Sequence, residues 1–406
     1  MKGEEVMKVY EINVVCGKGS TGRIVTDIYH SILENGGKCR IAYGRYKADT
    51  SINAIKFIDD LDVYLHAILT RLTGKHGLFS SKATKRLIED IKQFDPDIIH
   101  LHNIHGYYLN YKLLFEFLKE YDRPVVWTFH DCWPFTGHCA YYDITGCDKW
   151  KTKCSKCENF KAYPASYVDS SESNYQLKKK LFTEIDNLTI VTPSKWLADE
   201  VKLSFLKDKS TKVIANGIDL SKFNPLESDF RKIHGIENKK MILGVASPFG
   251  KRKGFSDFIK LKELLDEEYV ICMVGLTKKQ LEKLPEGIIG IERTDSIKQL
   301  AEIYSTADIF LNLTYEDNFP TTNIESLACG TPVLTYATGG SPSIIDKTCG
   351  RVIEKGNLFE TVEEIKRMIK TPLERQNCII RSKMFDRKLM GKNYVLLFEQ
   401  LLKEKD

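Results

Sequence analysis

The sequence predicts an α/β protein built on two parallel sheets, and three observations carry that expectation. Short apolar runs alternate with segments of helical spacing along the whole chain. A glycine-rich turn follows the first of these runs, as it does where a doubly wound sheet meets a ligand. The alternation then starts afresh near Lys240, after a stretch long enough to have built a complete domain. A chain of 406 residues therefore divides into two units of ordinary size.

Composition narrows the function classes. With 42% hydrophobic and 28% charged residues, the chain reads as globular and soluble. A net charge of +5 is modest at this length, so nothing demands a nucleic-acid partner. No apolar run reaches the roughly 18 residues of a membrane-spanning helix. The start, MKGEEVMKVYEINVVC, is acidic and too short in apolar residues for a signal peptide, so a cytoplasmic protein is expected. In that compartment the eleven cysteines read as thiols or metal ligands, not as a disulfide framework.

KVYEINVV (residues 8–15) is the first strand, followed by Gly17, Gly19 and Gly22 around Ser20 and Thr21 and by an amphipathic helix to about residue 35. KCRIAY is the next strand. Residues 62–91 have helical spacing and mix Leu, Ile, Tyr and Phe with Arg71, Lys75, Lys82, Lys85 and Arg86, a pattern suited to an anionic membrane interface or to ordinary surface helices. DPDIIHLHNIHG is a strand that places His100 and His102 on one face, with His105 just beyond. No carboxylate or cysteine stands nearby at ligand spacing, so these read as satisfied histidines, and His105 is kept as an acceptor contact. PVVWTFHDCW is a buried strand that delivers His130 and Asp131 to the carboxyl edge of the sheet, where ligands bind.

Cys139, Cys147, Cys154 and Cys157 follow as C-x7-C-x6-C-x2-C in an aromatic, lysine-rich loop. A long loop without a core of its own needs a staple, and a structural four-thiolate Zn²⁺ site would supply one; free or partly oxidised thiols are the alternative. Cys132 and His138 are substitute ligands. Strands LTIVT and TKVI close the first half. The second half runs through KMILGVA, YVICMVG, GIIGIE, DIFLNL and PVLTY, with a basic loop, SPFGKRKGF, after the first of these. Arg252 and Lys253 there could neutralise a departing diphosphate.

The second half is organised around YEDNFPTTNIESLACGTPVLTY, residues 315–336. Asp317 and Glu325 stand eight residues apart across a turn, Asn318-Phe319-Pro320-Thr321-Thr322, that leads into a helix with Thr321 or Thr322 as the expected N-cap. Gly330 suits the C-terminal stop. A strand, a tight turn and a helix N-terminus make a seat for phosphate. Glu325 could accept from ribose hydroxyls, and Asp317 could hold a transferred group.

This stretch resembles the signature of family 4 retaining glycosyltransferases, Glu, seven residues, Glu, then ACGTPV. The Phe319-Pro320 pair aligns Asp317 with the first glutamate and Glu325 with the second, so aspartate replaces glutamate, and Glu316 keeps the residue type one position early. Lys253 matches the family's lysine, while Pro248 stands at its arginine and Arg252 is the candidate replacement. Asn216-Gly217-Ile218-Asp219 is similar to the interdomain stretch, and GSTGRI is similar to the loop of relatives that build colanic-acid and capsule-type polysaccharides.

The resemblance implies the GT-B architecture, two Rossmann-like doubly wound domains facing across a cleft. Residues 1–215 would bind the acceptor, residues 216–386 the nucleotide sugar, and the final helix, 387–406, would pack back on the first domain. It implies retaining transfer with no metal or other cofactor in catalysis, by front-side displacement, and no Asp-x-Asp motif is present. Catalytic positions would be His130, Asp131, Asp317 and Glu325. The donor, a UDP- or GDP-sugar, would meet Gly19, Ser20, Arg252, Lys253, Asn318, Phe319, Pro320, Thr321, Thr322 and Glu325. The acceptor, a glycan carried on polyprenyl diphosphate, would meet His105 and Thr21 on the inner face of the plasma membrane. A nucleotide-sugar 2-epimerase of the same architecture and a non-catalytic nucleotide-sugar-binding protein are the rival readings.

Overall fold

A computed structural model of the chain describes residues 6–404. The chain forms two compact units: residues 1–215 with 388–406, and residues 216–387.

In the N-terminal unit seven strands form one sheet: β1 (Lys8–Val15), β2 (Lys38–Arg45), β3 (Ala54–Lys56), β4 (Ile98–Leu101), β5 (Val125–Thr128), β6 (Leu188–Thr192) and β7 (Ser210–Val213). Their order is β3-β2-β1-β4-β5-β6-β7, and every pairing is parallel. β4, β5 and β6 are buried at every position, as expected of parallel strands covered on both faces. One face packs Tyr10, Ile12, Trp127 and Phe182 together, and the other packs Val9, Ile28, Val126, Tyr394 and Phe398. The last two come from the C-terminal helix (Arg387–Lys403), whose buried residues join this unit's core.

In the C-terminal unit six strands follow: β8 (Lys240–Val245), β9 (Tyr269–Val274), β10 (Ile288–Ile291), β11 (Ile309–Asn312), β12 (Val333–Tyr336) and β13 (Gly350–Ile353). Their order is β10-β9-β8-β11-β12-β13, again all parallel. Each sheet therefore reverses its winding once, between β1 and β4 and between β8 and β11. At such a switch point the loops leaving the strand ends diverge and open a crevice for a ligand. The topology thus nominates two loop pairs: 16–19 with 102–106, and 246–254 with 313–320.

Local chemistry explains the breaks. The helical stretch at 62–91 is two helices, Asp60–Thr73 and Ser81–Phe94, because Gly74 turns left-handed (φ +67°) and ends the first. β3 and β13 escape sequence reading because each is short and sits at a sheet edge, with little apolar patterning.

Candidate functional site

In the C-terminal unit the loop after β8 meets the loop after β11. The Lys253 ammonium pairs with the Asp317 carboxylate, both side chains being about one-fifth exposed. Arg252 donates from Nη1 to the Glu316 carbonyl (2.7 Å), and its own carbonyl accepts from Tyr315 N–H (2.8 Å). Asp317 also accepts from Phe319 N–H at 3.2 Å. Asn318 is buried, and its carbonyl accepts from Gly340 N–H (3.1 Å), which ties the turn to the loop after β12. Gly339 is required there: a Cβ would stand 1.8 Å from the Asp317 carbonyl oxygen.

The helix that follows is Thr321–Ala328, and Pro320 is its N-cap. Thr321 and Thr322 therefore lie inside the first turn and not at the cap, because proline's fixed φ already sets the helical entry. No side chain caps this turn, which leaves its N–H dipoles directed at the Asp317–Pro320 segment. Glu325, one turn further on, is buried and accepts from the Tyr304 hydroxyl at 3.1 Å. Gly330 follows the helix in the left-handed region (φ +81°). The structure thus brings Arg252, Lys253, Asp317–Thr322 and Glu325 into one neighbourhood of this unit.

In the N-terminal unit Gly17 and Gly19 are both left-handed, and Gly19, Ser20 and Thr21 open the helix Gly19–Glu34. Gly19 and Ser20 are exposed. Buried Asn13 accepts from Asn103 N–H (3.2 Å) and so joins the β1 and β4 ends of the switch point. His105 Nε2 stands 2.7 Å from Asp131 Oδ2, and its Nδ1 stands 2.9 Å from the Tyr163 hydroxyl. Trp133 N–H donates to the other Asp131 oxygen at 2.9 Å. Burial opposes ionisation of Asp131, yet the His105 ring and the Trp133 amide hold its carboxyl below the usual range.

Asp131, expected to position the acceptor or to orient His130, bonds to the His105 ring. His130 stacks on His102, with ring centroids 5.4 Å apart and planes inclined by 11°, and His130 Nε2 lies 3.1 Å from His102 Nδ1. One correction concerns His100 and His102, which do have a carboxylate at hand. Register pairs Glu11 of β1 with His100 of β4, and Glu11 Oε1 lies 3.1 Å from His100 Nδ1 and 3.5 Å from His102 Nε2. The side chains of all three are fully buried. The signal was a glutamate in the middle of a mostly apolar strand, at a position that burial would claim.

The four cysteines of the loop after β5 stay within one region, among three short 3₁₀ turns. Cys139, Cys147 and Cys157 line a single cavity of ≈ 190 Å³, and Cys154 accepts from Gly137 N–H at 3.2 Å. Burial pushes the Cys154 thiol up to about 11 and raises that of Cys157. No three of these sulfurs come within 4.8 Å of one another; among the described residues the group that does so is Glu11, His100 and His102.

Residues 21–222 match the family described as Glycosyltransferase Family 4, and residues 227–384 match Glycosyl transferases group 1. A protein of Escherichia coli (strain K12) named as a colanic acid biosynthesis glycosyl transferase, WcaC, is 24% identical over 376 residues, spanning 88% of this chain and 90% of that one. Sucrose-phosphate synthase from Thermosynechococcus elongatus superposes with a TM-score of 0.71 at 15% identity, over 98% of this chain and 100% of that one. The Anabaena protein HepE, solved in complex with UDP-glucose, gives 0.66 at 14% identity, over 97% and 100%. At such identities the likeness establishes the fold, which is of the GT-B class.

Proposed function

Because this chain belongs to the glycosyltransferases, to family 4 in its N-terminal part and to group 1 in its C-terminal part, we propose that it moves a sugar from a nucleoside diphosphate sugar to a glycan acceptor with retention of configuration. The observation that carries this reading is the meeting of Arg252, Lys253 and the uncapped Thr321–Ala328 helix on one turn at the β8–β11 switch point. Cations and aligned N–H groups on one turn suit a diphosphate, and they stabilise it most as charge builds on the leaving group. Lys253 would exchange its Asp317 partner for a phosphate oxygen, releasing Asp317 to a sugar hydroxyl. Glu325 would hold the ribose. No metal is needed in this scheme, since the cationic side chains supply the charge.

His130 is assigned to the transferred sugar, and the His105–Asp131 pair with Thr21 to the acceptor. A polysaccharide pathway is supported by the similarity to the colanic acid protein. A lipid-linked acceptor is supported by the helix Asp60–Thr73, on which Leu61, Tyr64 and Leu72 are 68%, 64% and 57% exposed. Exposed Arg71 lies in its last turn and exposed Lys75, Lys82, Lys85 and Arg86 follow it, so an apolar face flanked by cations is offered to an anionic bilayer surface. None of the described helices is long and apolar enough to cross a membrane. For the four cysteines we retain a structural Zn²⁺; the donor set is right for it, and binding would require the loop to draw the sulfurs in.

Calorimetric titration with UDP and GDP tests the donor site. Saturable binding of one of them, weakened about 10- to 100-fold by both Lys253→Ala and Glu325→Ala, is expected from the loss of one charge-assisted contact each. A folded protein that binds neither nucleotide refutes the reading.

A further inference from the structure

The cations of the donor-side turn are braced by a residue that lies outside that turn. Asp257 is buried in the first turn of the helix Phe255–Leu264, just beyond Lys253. Its Oδ2 accepts from the Tyr315 hydroxyl at 2.7 Å and from the Tyr336 hydroxyl at 3.1 Å. The two rings meet edge to face, with centroids 5.6 Å apart. Tyr315 lies in the loop after β11, just before Glu316 and Asp317, and Tyr336 ends β12, just before the loop of Gly339 and Gly340. One carboxylate oxygen therefore joins the three loops from which the site is built.

Tyr315 is gripped twice from the basic loop. Its N–H donates to the Arg252 carbonyl (2.8 Å) and its hydroxyl to Asp257, so Lys253 stands on the stretch of chain between two anchors that reach one residue. A single hydrogen bond leaves a loop free to swing about it; a second, on the far side of Lys253, removes that freedom. The Thr314 hydroxyl strengthens the first anchor, donating to the same Arg252 carbonyl at 3.3 Å. Gly254 lets the backbone close this bracket: its φ is +69°, and a Cβ there would stand 2.3 Å from the Leu313 carbonyl oxygen. An apolar group of similar volume would fill the place of Asp257 without the cost of desolvating a carboxylate. What the carboxylate adds is direction, because a hydroxyl that donates to it is fixed in orientation. Burial and the Asp257 bond push the Tyr315 hydroxyl up to about 12, so it stays a donor across neutral pH.

We propose that Asp257 is a positioning residue for the donor site: by holding Tyr315 and Tyr336 it sets Lys253 against the Asp317 turn at the spacing a diphosphate requires. The proposal rests on the donor-site reading for its effect on nucleotide binding, and on the bracket alone for the order of the loop.

Two measurements test it. Without ligand, hydrogen exchange of the segment 313–319 is expected to quicken about tenfold in Asp257→Ala and less in Tyr315→Phe. It should stay near wild type in Asp257→Asn, whose amide oxygen can still accept from both phenols. Calorimetry with whichever of UDP and GDP the wild type binds is expected to show about tenfold weaker binding by Asp257→Ala, a smaller loss in Tyr315→Phe, and most of the affinity recovered in Asp257→Asn. An aspartate that served stability alone would lower the thermal midpoint and leave the affinity of the folded protein unchanged. Tyr315→Phe removes one hydroxyl and keeps the ring, so it carries the test if Asp257→Ala does not fold. Wild-type exchange in folded Asp257→Ala, or in Tyr315→Phe if the former does not fold, overturns the bracket, and wild-type affinity overturns its role at the donor site. A wild type that binds neither nucleotide refutes the donor reading instead, and exchange then decides the bracket by itself.

Discussion

Gly339 offers a sharp perturbation of the donor site without touching a charged group. Its φ is +51°, where an L-residue loses about 1–2 kcal/mol relative to its preferred backbone. More consequential is the Asp317 carbonyl oxygen, 1.8 Å from the position a Cβ would take, with the Asp317 carbonyl carbon at 2.9 Å and Asn318 Cα at 3.5 Å. Carbon–oxygen contacts settle near 3.3 Å, so the two backbones must part by about 1.5 Å in Gly339→Ala. That motion displaces the turn holding the Asp317–Lys253 pair, the Phe319 N–H bond and the Gly340–Asn318 bond. A misplacement of about 1 Å in a positioning element costs on the order of 100-fold. Nucleotide affinity should therefore fall by about that factor in calorimetry, while circular dichroism retains the α/β signature. Gly235→Ala is the control: its φ is +63° but a Cβ there meets nothing within 4 Å, so it pays the backbone cost alone and binds nucleotide as wild type does. Equal affinity of Gly339→Ala and wild type would refute the idea that this turn forms the donor site.

Other outcomes follow from the same geometry. Sedimentation with anionic vesicles should carry the protein down, and Leu61→Ser with Leu72→Ser should release it without lowering the thermal midpoint, because both side chains are more than half exposed. Elemental analysis of the purified protein should find about one zinc per chain, and Cys154→Ser with Cys157→Ser should abolish it; a metal-free, fully folded wild type would refute the staple. Acid should weaken the N-terminal unit first. Burial depresses His66 and His100 to about 3 and His130 to about 4, so the unfolded chain takes up protons that the folded unit refuses. The stability these groups contribute is present above about pH 6.5 and is lost as pH falls from there toward 4, which urea unfolding across that range would measure. Glu11 acts in the opposite sense: its raised carboxyl lets the unfolded chain ionise first, so Glu11→Gln should stabilise the unit at pH 7 and leave it unchanged near pH 4.

Much of the fold was legible because its elements announce themselves over short spans. β4, β5, β11 and β12 are mostly apolar runs buried at every position, and the helix after β1 carries its inward stripe in Ile24, Val25, Ile28 and Ile32. The donor-side turn was legible for a different reason: Asp317 to Thr322 and Glu325 lie within nine residues, so a local motif carries most of its geometry. Edge strands such as β3 and β13 were not, since three or four half-buried residues leave no period to read.

Sequence by itself settled the α/β class, the repeat of the sheet plan in the second half, and the residue types gathered at the β8–β11 turn, all of which depend on neighbours within a few turns of chain. Tertiary structure alone decided the pairings. Asp131 answers to His105 and His130 to His102, although His130 and Asp131 are adjacent in the chain. Glu11 meets His100 across 89 residues because parallel register sets β1 beside β4. Tyr394 meets the Thr128 hydroxyl from a helix 266 residues further on. The physical reason is that hydrogen bonds and burial act over a few ångströms of space, and no periodicity in the chain encodes which distant groups the sheet order will bring that close.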